Sequence, residues 1–229
     1  MHFQHIQWQI IRTAATFFGT PVPPDPVLAP AEVLKAARAD QASSDDGYLS
    51  LRTLELAMAI SPDEESAVVD FMVALFRACG YTGVGRVART RKEIPLLICG
   101  ENRHTKTDKD KRHMDGTDPE PQLIAEAIAA CAANNQTRVR TLSLPPLQSK
   151  VMPCITLTGT TPTFYKIPVS INLVTAVKGG VYPQQETAVR VHVPVLPRPA
   201  RRWSEGMKPL DNRKIILSCY EAFKQFVNQ

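Results

Sequence analysis

Residues 93–126 read EIPLLICGENRHTKTDKDKRHMDGTDPEPQLIAE and change character twice within one continuous stretch. An apolar run at 94–99 predicts a strand, and the segment at 103–115 carries a dense mixture of basic and acidic side chains. The letters TDPEP then lead into a helix predicted to begin near Gln122. The predicted strand would therefore place charged side chains near the N-terminus of the predicted helix. That order fits a metal-and-phosphate site, and it also fits a solvated charged loop.

Helix-start signals flank this stretch. The letters SPDE at 61–64 form a capping box with proline at the first helical position, which predicts a helix at 62–79 that ends at Gly80. The letters TDPE at 117–120 form a second capping box, and an apolar stripe at helical spacing follows it as far as Asn134.

The remaining patterns indicate an α/β fold with a mixed central sheet flanked by helices. Further strands are predicted at 84–90, 151–160, 164–171 and 188–195, helices at 173–178 and 211–227, and loops at 141–149 and 196–209. Helices are also predicted at 6–18 and 31–40, around a proline-rich extended segment at 21–30. We therefore divide the chain into an N-terminal appendage of uncertain order, residues 1–60, and an α/β domain, residues 61–229.

The composition is that of a soluble, globular chain. Its 229 residues, 44% of them apolar, suffice for one sizeable domain or one and a half. No apolar run approaches the roughly 18 residues of a membrane span, and the N-terminus lacks the features of a secretory signal. We expect an intracellular protein, cytoplasmic or nuclear, without a membrane partner.

The cysteines are odd in number, widely spaced and set among apolar neighbours. They are Cys79, Cys99, Cys131, Cys154 and Cys219. This pattern fits reduced core residues better than a disulfide framework. The motifs CxxC, CxxH and HExxH do not occur, which argues against a zinc enzyme.

Basic charge is concentrated in the middle of the chain. The net charge is +5, and between Arg86 and Asp115 nine Lys and Arg residues stand against five Asp and Glu residues. A mild excess of this kind permits nucleic-acid binding without requiring it. The candidate contacts to a nucleic-acid backbone are Arg89, Arg91, Lys92, Arg103, Lys106 and Arg112.

Four stretches are similar to a family of uncharacterised proteins common in mushroom-forming fungi. They are RTRKEIPLLICGENRHTKTD (89–108), DKRHMDGTDPEPQLIAEAIAA (110–130), GTTPTFYKIPV (159–169) and HVPVLPRPARRWSEGMKPLDNRKIILSCYEAFKQFV (192–227). In topology and motif placement that family resembles the PD-(D/E)XK, or restriction-endonuclease-like, nuclease superfamily. The resemblance implies a helix, a three-stranded meander, a second helix and a further strand.

The resemblance also implies a chemistry. Superfamily members use an Asp on the second strand and a Glu-x-Lys on the third to hold Mg²⁺ and the attacking water, because carboxylates chelate the ion, which neutralises phosphate charge. Asp108 matches the strand-two Asp, and Lys111 matches the Lys that steadies the phosphate. Gln122 matches a Gln at the start of the following helix, and Glu65 matches an acid on the first helix. Gln122 equally fits a helix-surface residue, and Glu65 a charge at the positive end of a helix dipole.

This chain departs from the family at the centre of the motif. Members carry a hairpin between KTD and DKR whose third strand ends in Gln-Glu-Asp-Lys, whereas here Asp108 is followed at once by Lys109. A lysine at the position of that Glu would repel a metal, so chelation would rest on Asp108 and Asp110. In an extended segment these two carboxylates lie on one face, about 7 Å apart. We therefore expect a truncated meander and an activity that is weak or lost.

Other hypotheses stay open. The chain fits a non-catalytic interaction module whose basic face, residues 86–112, docks a protein or a nucleic-acid backbone, and the missing hairpin also fits a wrongly predicted splice site. His104 and His113 lack a partner at metal spacing on a predicted helix. One further set of residues combines cations with an aromatic ring. It fits a phosphate-binding patch, and it also fits an ordinary surface loop. That set is Arg198, Arg201, Arg202 and Trp203.

Overall fold

The computed structural model describes residues 6–27, 29–59, 65–84, 88, 93–106 and 120–227. The chain divides into two compact units. The first is drawn from Met1–Ile10, Thr90–Cys154 and Tyr165–Val191. The second is drawn from Ile11–Arg89, Ile155–Phe164 and His192–Gln229.

The described residues form six strands and eight α-helices in mixed order along the chain. The strands are β1 (Ile6–Ile10), β2 (Glu93–Ile98), β3 (Glu101–Lys106), β4 (Ser149–Thr158), β5 (Thr161–Ser170) and β6 (Thr187–His192). The α-helices are α1 (Ala14–Phe18), α2 (Ala31–Lys35), α3 (Asp45–Ala57), α4 (Glu65–Ala78), α5 (Glu120–Arg140), α6 (Ile171–Gly179), α7 (Arg202–Glu205) and α8 (Leu210–Val227).

The strands form two sheets. Four of them make a mixed sheet in the order β1-β6-β5-β4, in which β1 runs parallel to β6 with Trp8 opposite Val189. Strands β4 and β5 are neighbours joined by two residues, a connection that only an antiparallel hairpin allows. Strands β2 and β3 form a separate antiparallel pair. The chain is therefore mixed α/β, with a four-stranded mixed sheet flanked by helices, as the sequence predicts at this level.

The first unit has its own hydrophobic core, to which α5, α6, β5 and β6 contribute. Strand β5 is buried along nearly its whole length because it lies between β6 and β4 and both of its faces are covered. The predicted apolar stripe of α5 is buried, from Leu123 to Cys131, which confirms this helix. The helix continues beyond the predicted end at Asn134, to Arg140.

The second unit is built around α8 and a cluster of aromatic rings. The ring centroids of Phe17 and Phe18 lie 5.0 Å apart, as do those of Phe164 and Phe223. The Tyr81 hydroxyl donates a hydrogen bond of 2.5 Å to the buried carbonyl of Tyr220. Aromatic burial, which removes large apolar areas from water, accounts for the stability of this core.

Helix α4 confirms the described part of the helix predicted at 62–79. It ends as its sequence predicts: Gly80 has a φ of 65°, and the Tyr81 amide donates to the carbonyl of Phe76 at 2.8 Å, the pattern of a Schellman cap. The SPDE capping box and the first three residues of TDPE lie outside the described residues. So does most of the strand predicted at 84–90.

The N-terminal region differs most from expectation. A single helix is predicted at 6–18, but residues 6–10 form β1, because the partner strand β6 supplies the backbone hydrogen bonds that an isolated segment lacks. Helix α3, for which no element is predicted, begins at the N-cap Ser44, whose hydroxyl accepts from the Gly47 amide. The division at residue 60 stays a prediction, although β1 belongs to the first unit and Phe17 to the core of the second.

Smaller corrections concern the C-terminal half. Strand β5 begins at Thr161, so the turn after β4 is only Gly159 and Thr160. Strand β6 ends at His192, three residues before the predicted end, and the loop predicted at 196–209 contains the helical turn α7. Helix α6 ends at Gly179, one residue beyond the predicted end, and is capped by Gly180, which has a φ of 67°.

The cysteines are free thiols, and the core interpretation holds for most of them. Cys79, Cys131 and Cys219 are buried and Cys154 is half-buried. Burial raises the pKa of the Cys79 and Cys219 thiols to about 12. Cys99 is exposed, which corrects its assignment to the core.

Candidate functional site

The hairpin of β2 and β3 directly precedes the predicted site residues Asp108 and Asp110 in the sequence. Its register places Ile98 opposite Glu101 and Glu93 opposite Lys106. Cys99 and Gly100 form the turn with φ values of 52° and 78°, and two positive φ values are the mark of a type I′ turn. A non-glycine residue in this conformation is uncommon, so neighbouring structure must hold it there.

Helix α6 holds that turn. The amide of Cys99 donates to the carbonyl of Val177 at 3.1 Å, and the amide of Gly100 donates to the carbonyl of Lys178 at 3.0 Å. The last carbonyls of a helix have no partner within it, so the hairpin turn satisfies groups that would otherwise need water. The hairpin is thus attached to the rest of the first unit through its turn.

Helix α5 is the second support of the hairpin. It contacts β2 and β3, and Leu96 of β2 is 3% exposed within the core that α5 shares. Strand β3 ends at Lys106, α5 begins at Glu120, and the two elements touch.

The predicted site residues fall into three groups. Arg103 and Lys106 lie on β3, as does His104, and Gln122 lies in the first turn of α5. Glu65 is the first residue of α4, in the second unit. The remainder lie outside the described residues. They are Arg89, Arg91, Lys92, Asp108, Asp110, Lys111, Arg112 and His113.

The first two turns of α5 contain a cluster of polar side chains. Gln122 is the one member of this cluster that was predicted as a site residue. The Gln122 amide donates to Glu126 at 3.0 Å, and the Tyr165 hydroxyl lies 3.5 Å from a carboxylate oxygen of Glu120. Burial, with Glu126 as a lesser cause, raises the pKa of the Cys154 thiol to about 12. The spacing of Gln122 and Glu126, one helical turn apart, is the local signal that could have identified their contact.

The described residues contain no group of three or more His, Cys, Asp or Glu side chains that could hold a metal ion. Asp108 and Asp110 lie outside them, so the predicted Mg²⁺ site stays a prediction. The described helices also include none that is long and apolar enough to cross a membrane.

The arginine-rich loop near Trp203 is already engaged within the chain. Arg198 donates to both carboxylate oxygens of Asp211, at 2.8 and 2.7 Å, and to Glu205 at 2.6 Å. These carboxylates hold the pKa of the Arg198 guanidinium above its usual value. Arg202 lies over the Trp203 ring, 4.8 Å from its centroid. These contacts of Arg198 and Arg202 favour the interpretation of the segment as an ordinary surface loop over that of a phosphate-binding patch.

No protein-family model, curated protein or solved structure matches this chain.

Proposed function

We propose that the chain is a nucleic-acid-binding protein of the PD-(D/E)XK nuclease type, in which metal-dependent phosphodiester hydrolysis is weak or lost. One observation carries the proposal: among the described elements, α4, β2, β3, α5 and β4 occur in this chain order, with α5 packed on the β2–β3 hairpin. A restriction-endonuclease-like core has this order with a third meander strand before the second helix, and the sequence of the undescribed residues 107–119 lacks the hairpin that would carry it. The fold proposed is therefore that topology with a truncated meander.

The supporting chemistry lies in the segment between β3 and α5. In this proposal Asp108 and Asp110 chelate Mg²⁺ and Lys111 steadies the phosphate. Helix α5 begins at Glu120, and the partial positive charge at the start of a helix favours a phosphate nearby. Lys109 opposes the metal, because a cation among the ligands repels it, and this is why the activity is expected to be low.

Nucleic-acid binding is proposed to rest on backbone phosphates rather than on base edges. The six basic residues proposed for it lie on this hairpin or close to it in the sequence, and their charges release counterions from the nucleic acid when they bind. Gln122 and Glu65 complete the proposed site as residues that orient the substrate or the metal.

Calorimetry with Mg²⁺ and Mn²⁺ tests the metal site. The chain as it stands is compared with Asp108→Ala, with the matched control Asp115→Ala, and with a form in which a hairpin carrying Gln-Glu is restored between Asp108 and Asp110. We expect strong metal binding and cleavage of nucleic acid only in the restored form. If the restored form neither binds metal nor cleaves, the nuclease assignment is wrong.

The second candidate is a non-catalytic interaction module, favoured by the excess of basic residues at 86–115. Salt dependence distinguishes its two possible partners, a nucleic-acid backbone and a protein. Each lost phosphate contact reduces the slope of log K against log salt by about 1. Lys106→Gln should therefore flatten the slope for DNA or RNA, whereas Lys35→Gln, in the exposed part of α2, should not. Binding that salt does not weaken would point to a protein partner.

A further inference from the structure

A groove of about 730 Å³ lies within the first unit and is lined by β2, α5 and α6. The lining residues of α5 recur every three or four positions from Ile128 to Val139, so one face of this helix forms a wall about 17 Å long. Val139 in this wall and Thr175 of α6 are exposed. The groove is therefore elongated and opens to solvent.

The middle of the groove is apolar, and its side chains there are small. Strand β2 contributes Leu96 and Leu97, and α5 contributes Ala132 and Ala133 between the larger Ile128 and the end of the helix. Alanine side chains on a helix leave space beside the backbone. Such a groove fits large apolar side chains that a partner helix presents one turn apart.

The loop after α5 forms part of the lining through Pro146, and its backbone is held in place. The side-chain amide of Asn135 donates to the carbonyl of Leu147 at 3.0 Å, and its oxygen accepts from the Leu147 amide at 2.9 Å. Arg138 donates to the carbonyl of Pro145 at 3.1 Å. The groove is thus formed before any partner binds, which lowers the entropic cost of binding.

Large apolar side chains are exposed beside the groove. Val139 is 49% exposed, and Leu142 and Leu144 of the following loop are 56% and 43% exposed. The Leu144 amide donates to the carbonyl of Arg138 at 2.9 Å, so an ordered backbone holds this leucine at the surface. Apolar side chains displayed in this way next to a groove are typical of a protein interaction site.

The charges among the described lining residues are all positive. Arg140 and Lys178, one from each helix, are exposed, and neither has a carboxylate partner in the described part of the chain. Complementarity therefore requires an acidic partner. A second copy of this chain would bring the same cations together, and the described lining has no aromatic ring on which a nucleic-acid base could stack.

We propose that this groove docks an acidic amphipathic helix of a protein partner. Apolar side chains of that helix lie against Leu97 and Ala132, and its carboxylates pair with Arg140 and Lys178. The site is independent of the proposed nuclease-like function. None of the described lining residues belongs to the metal site or to the six basic residues proposed there, so either proposal can fail alone.

The test measures the binding of three labelled peptides to the full chain by fluorescence anisotropy. The first peptide is an amphipathic helix of about 16 residues, with leucines at i, i+3, i+4 and i+7 and glutamates elsewhere. The second has glutamine in place of glutamate, and the third has the composition of the first without an apolar face. We expect the first to bind at least about tenfold more tightly than either control, because the second lacks ion pairs and the third cannot align its leucines. Equal affinities, or no binding of the first peptide, would overturn the proposal.

Paired charge variants locate the peptide. The double variant Arg140→Gln, Lys178→Gln should weaken the first peptide about tenfold. The control Arg12→Gln, Lys35→Gln removes the same charge from exposed positions of the second unit and should leave the affinity unchanged. Equal affinities of the two double variants would place the peptide elsewhere and contradict the proposal.

A second pair of variants tests the groove without changing charge. Thr175→Trp places a large ring in the groove from an exposed position and should weaken the first peptide at least about tenfold. Asn172→Trp, exposed on the same helix but outside this lining, is the control and should bind as the unaltered chain does.

Two results would identify a different occupant and overturn the proposal. A dimer in sedimentation that Thr175→Trp dissociates would show that a second copy covers the groove. Displacement of the first peptide by a single-stranded oligonucleotide would show that nucleic acid binds there.

Discussion

In the second unit Arg213 is buried and Arg202 is half-buried, and their guanidinium groups differ in how they are paired. Arg213 is 0% exposed, and its guanidinium donates to the carbonyls of Met207, Val33, Ala36 and Lys208, at 2.9, 2.9, 2.6 and 3.0 Å. Burial lowers its pKa to about 10. Arg202 has a buried Nε and a buried Nη2 without partners among the described residues. One cation therefore completes a polar network, and the other leaves donors unpaired.

Replacement of Arg213 by methionine should be severely destabilising. The variant leaves the carbonyls of α2 and of the loop before α8 buried without donors, and each such group costs about 1–3 kcal/mol. We expect a loss of at least about 3 kcal/mol in the free energy of unfolding, measured by urea titration. The control Arg52→Met, at a half-exposed ion pair, should change stability by less than about 0.5 kcal/mol.

Replacement of Arg202 by methionine should not lower the free energy of unfolding, in contrast to Arg213→Met. Methionine keeps the apolar stem against Trp203 and removes the unpaired donors, whose burial lowers the pKa of the guanidinium. We expect stability to stay the same or to rise by about 1 kcal/mol in the same titration. A loss comparable to that of Arg213→Met would mean that Arg202 has a favourable partner after all.

His192 should make stability depend on pH. Because burial lowers its folded-state pKa below the ordinary 6.5, the unfolded chain binds more protons between the two values. The free energy of unfolding should then fall as the pH is lowered from about 7 to about 5. The decline should be shallower in His192→Gln, which cannot titrate. Identical slopes for the two proteins would show that the ring is protonated equally in both states.

At the scale of elements, the attachment of the β2–β3 turn to α6 can be tested at one glycine. Gly180 has a φ of 67°, and a Cβ there would lie 3.0 Å from Sγ and 3.4 Å from Cα of Cys99. Gly180→Ala should cost about 1–2 kcal/mol and accelerate hydrogen exchange at the Cys99 and Gly100 amides. Gly179→Ala is the matched control, since its Cβ would make only an ordinary contact of 3.7 Å. Equal exchange in the two variants would show that the turn does not depend on α6.

The helices and strands also show which local sequence signals are sufficient to predict an element. Helices α4, α5 and α8 carry long apolar stripes, and β2 is a compact apolar run, so each is recognisable without its neighbours. The short α1 and α7 have too few residues for a periodic pattern. Helix α3 has a clear N-terminal signal as well, since Asp45 and Asp46 follow the N-cap Ser44, and its buried Leu51 and Leu54 stand at helical spacing, so it too was recognisable from local sequence.

The whole molecule contains two tryptophans, one in each unit. Trp8 lies on β1 with its ring 6.2 Å from that of Tyr165, and Trp203 lies on α7. The variants Trp8→Phe and Trp203→Phe therefore leave one fluorescent reporter in each unit. Strands β4 and β5 each have residues in both units, so we expect the two reporters to give coincident urea transitions. Separated midpoints would show that the units unfold independently.

Part of the candidate site was predictable from the sequence, and part of it was not. The placement of Gln122 at a helix start follows from the apolar stripe that comes after it. Strand β3, which carries Arg103 and Lys106, was not predicted, because its sequence ENRHTK has no apolar pattern and lies partly in the segment predicted only as charged. The contact of Gln122 with Glu126 follows from helical spacing. The approach of Tyr165 to Glu120 does not, because it joins a strand and a helix far apart in the chain.

Local chemistry along the chain was sufficient for the mixed α/β class, the long helices, their glycine ends and the apolar strand before the charged segment. Those features depend on neighbours within about one or two helical turns. Strand β1, the buried Arg213 and the hydrogen bond of His192 to the carbonyl of Ile11 required the folded chain. Each joins residues from the N-terminal quarter to residues beyond 186, and hydrogen-bond partners so far apart cannot be read from a local pattern.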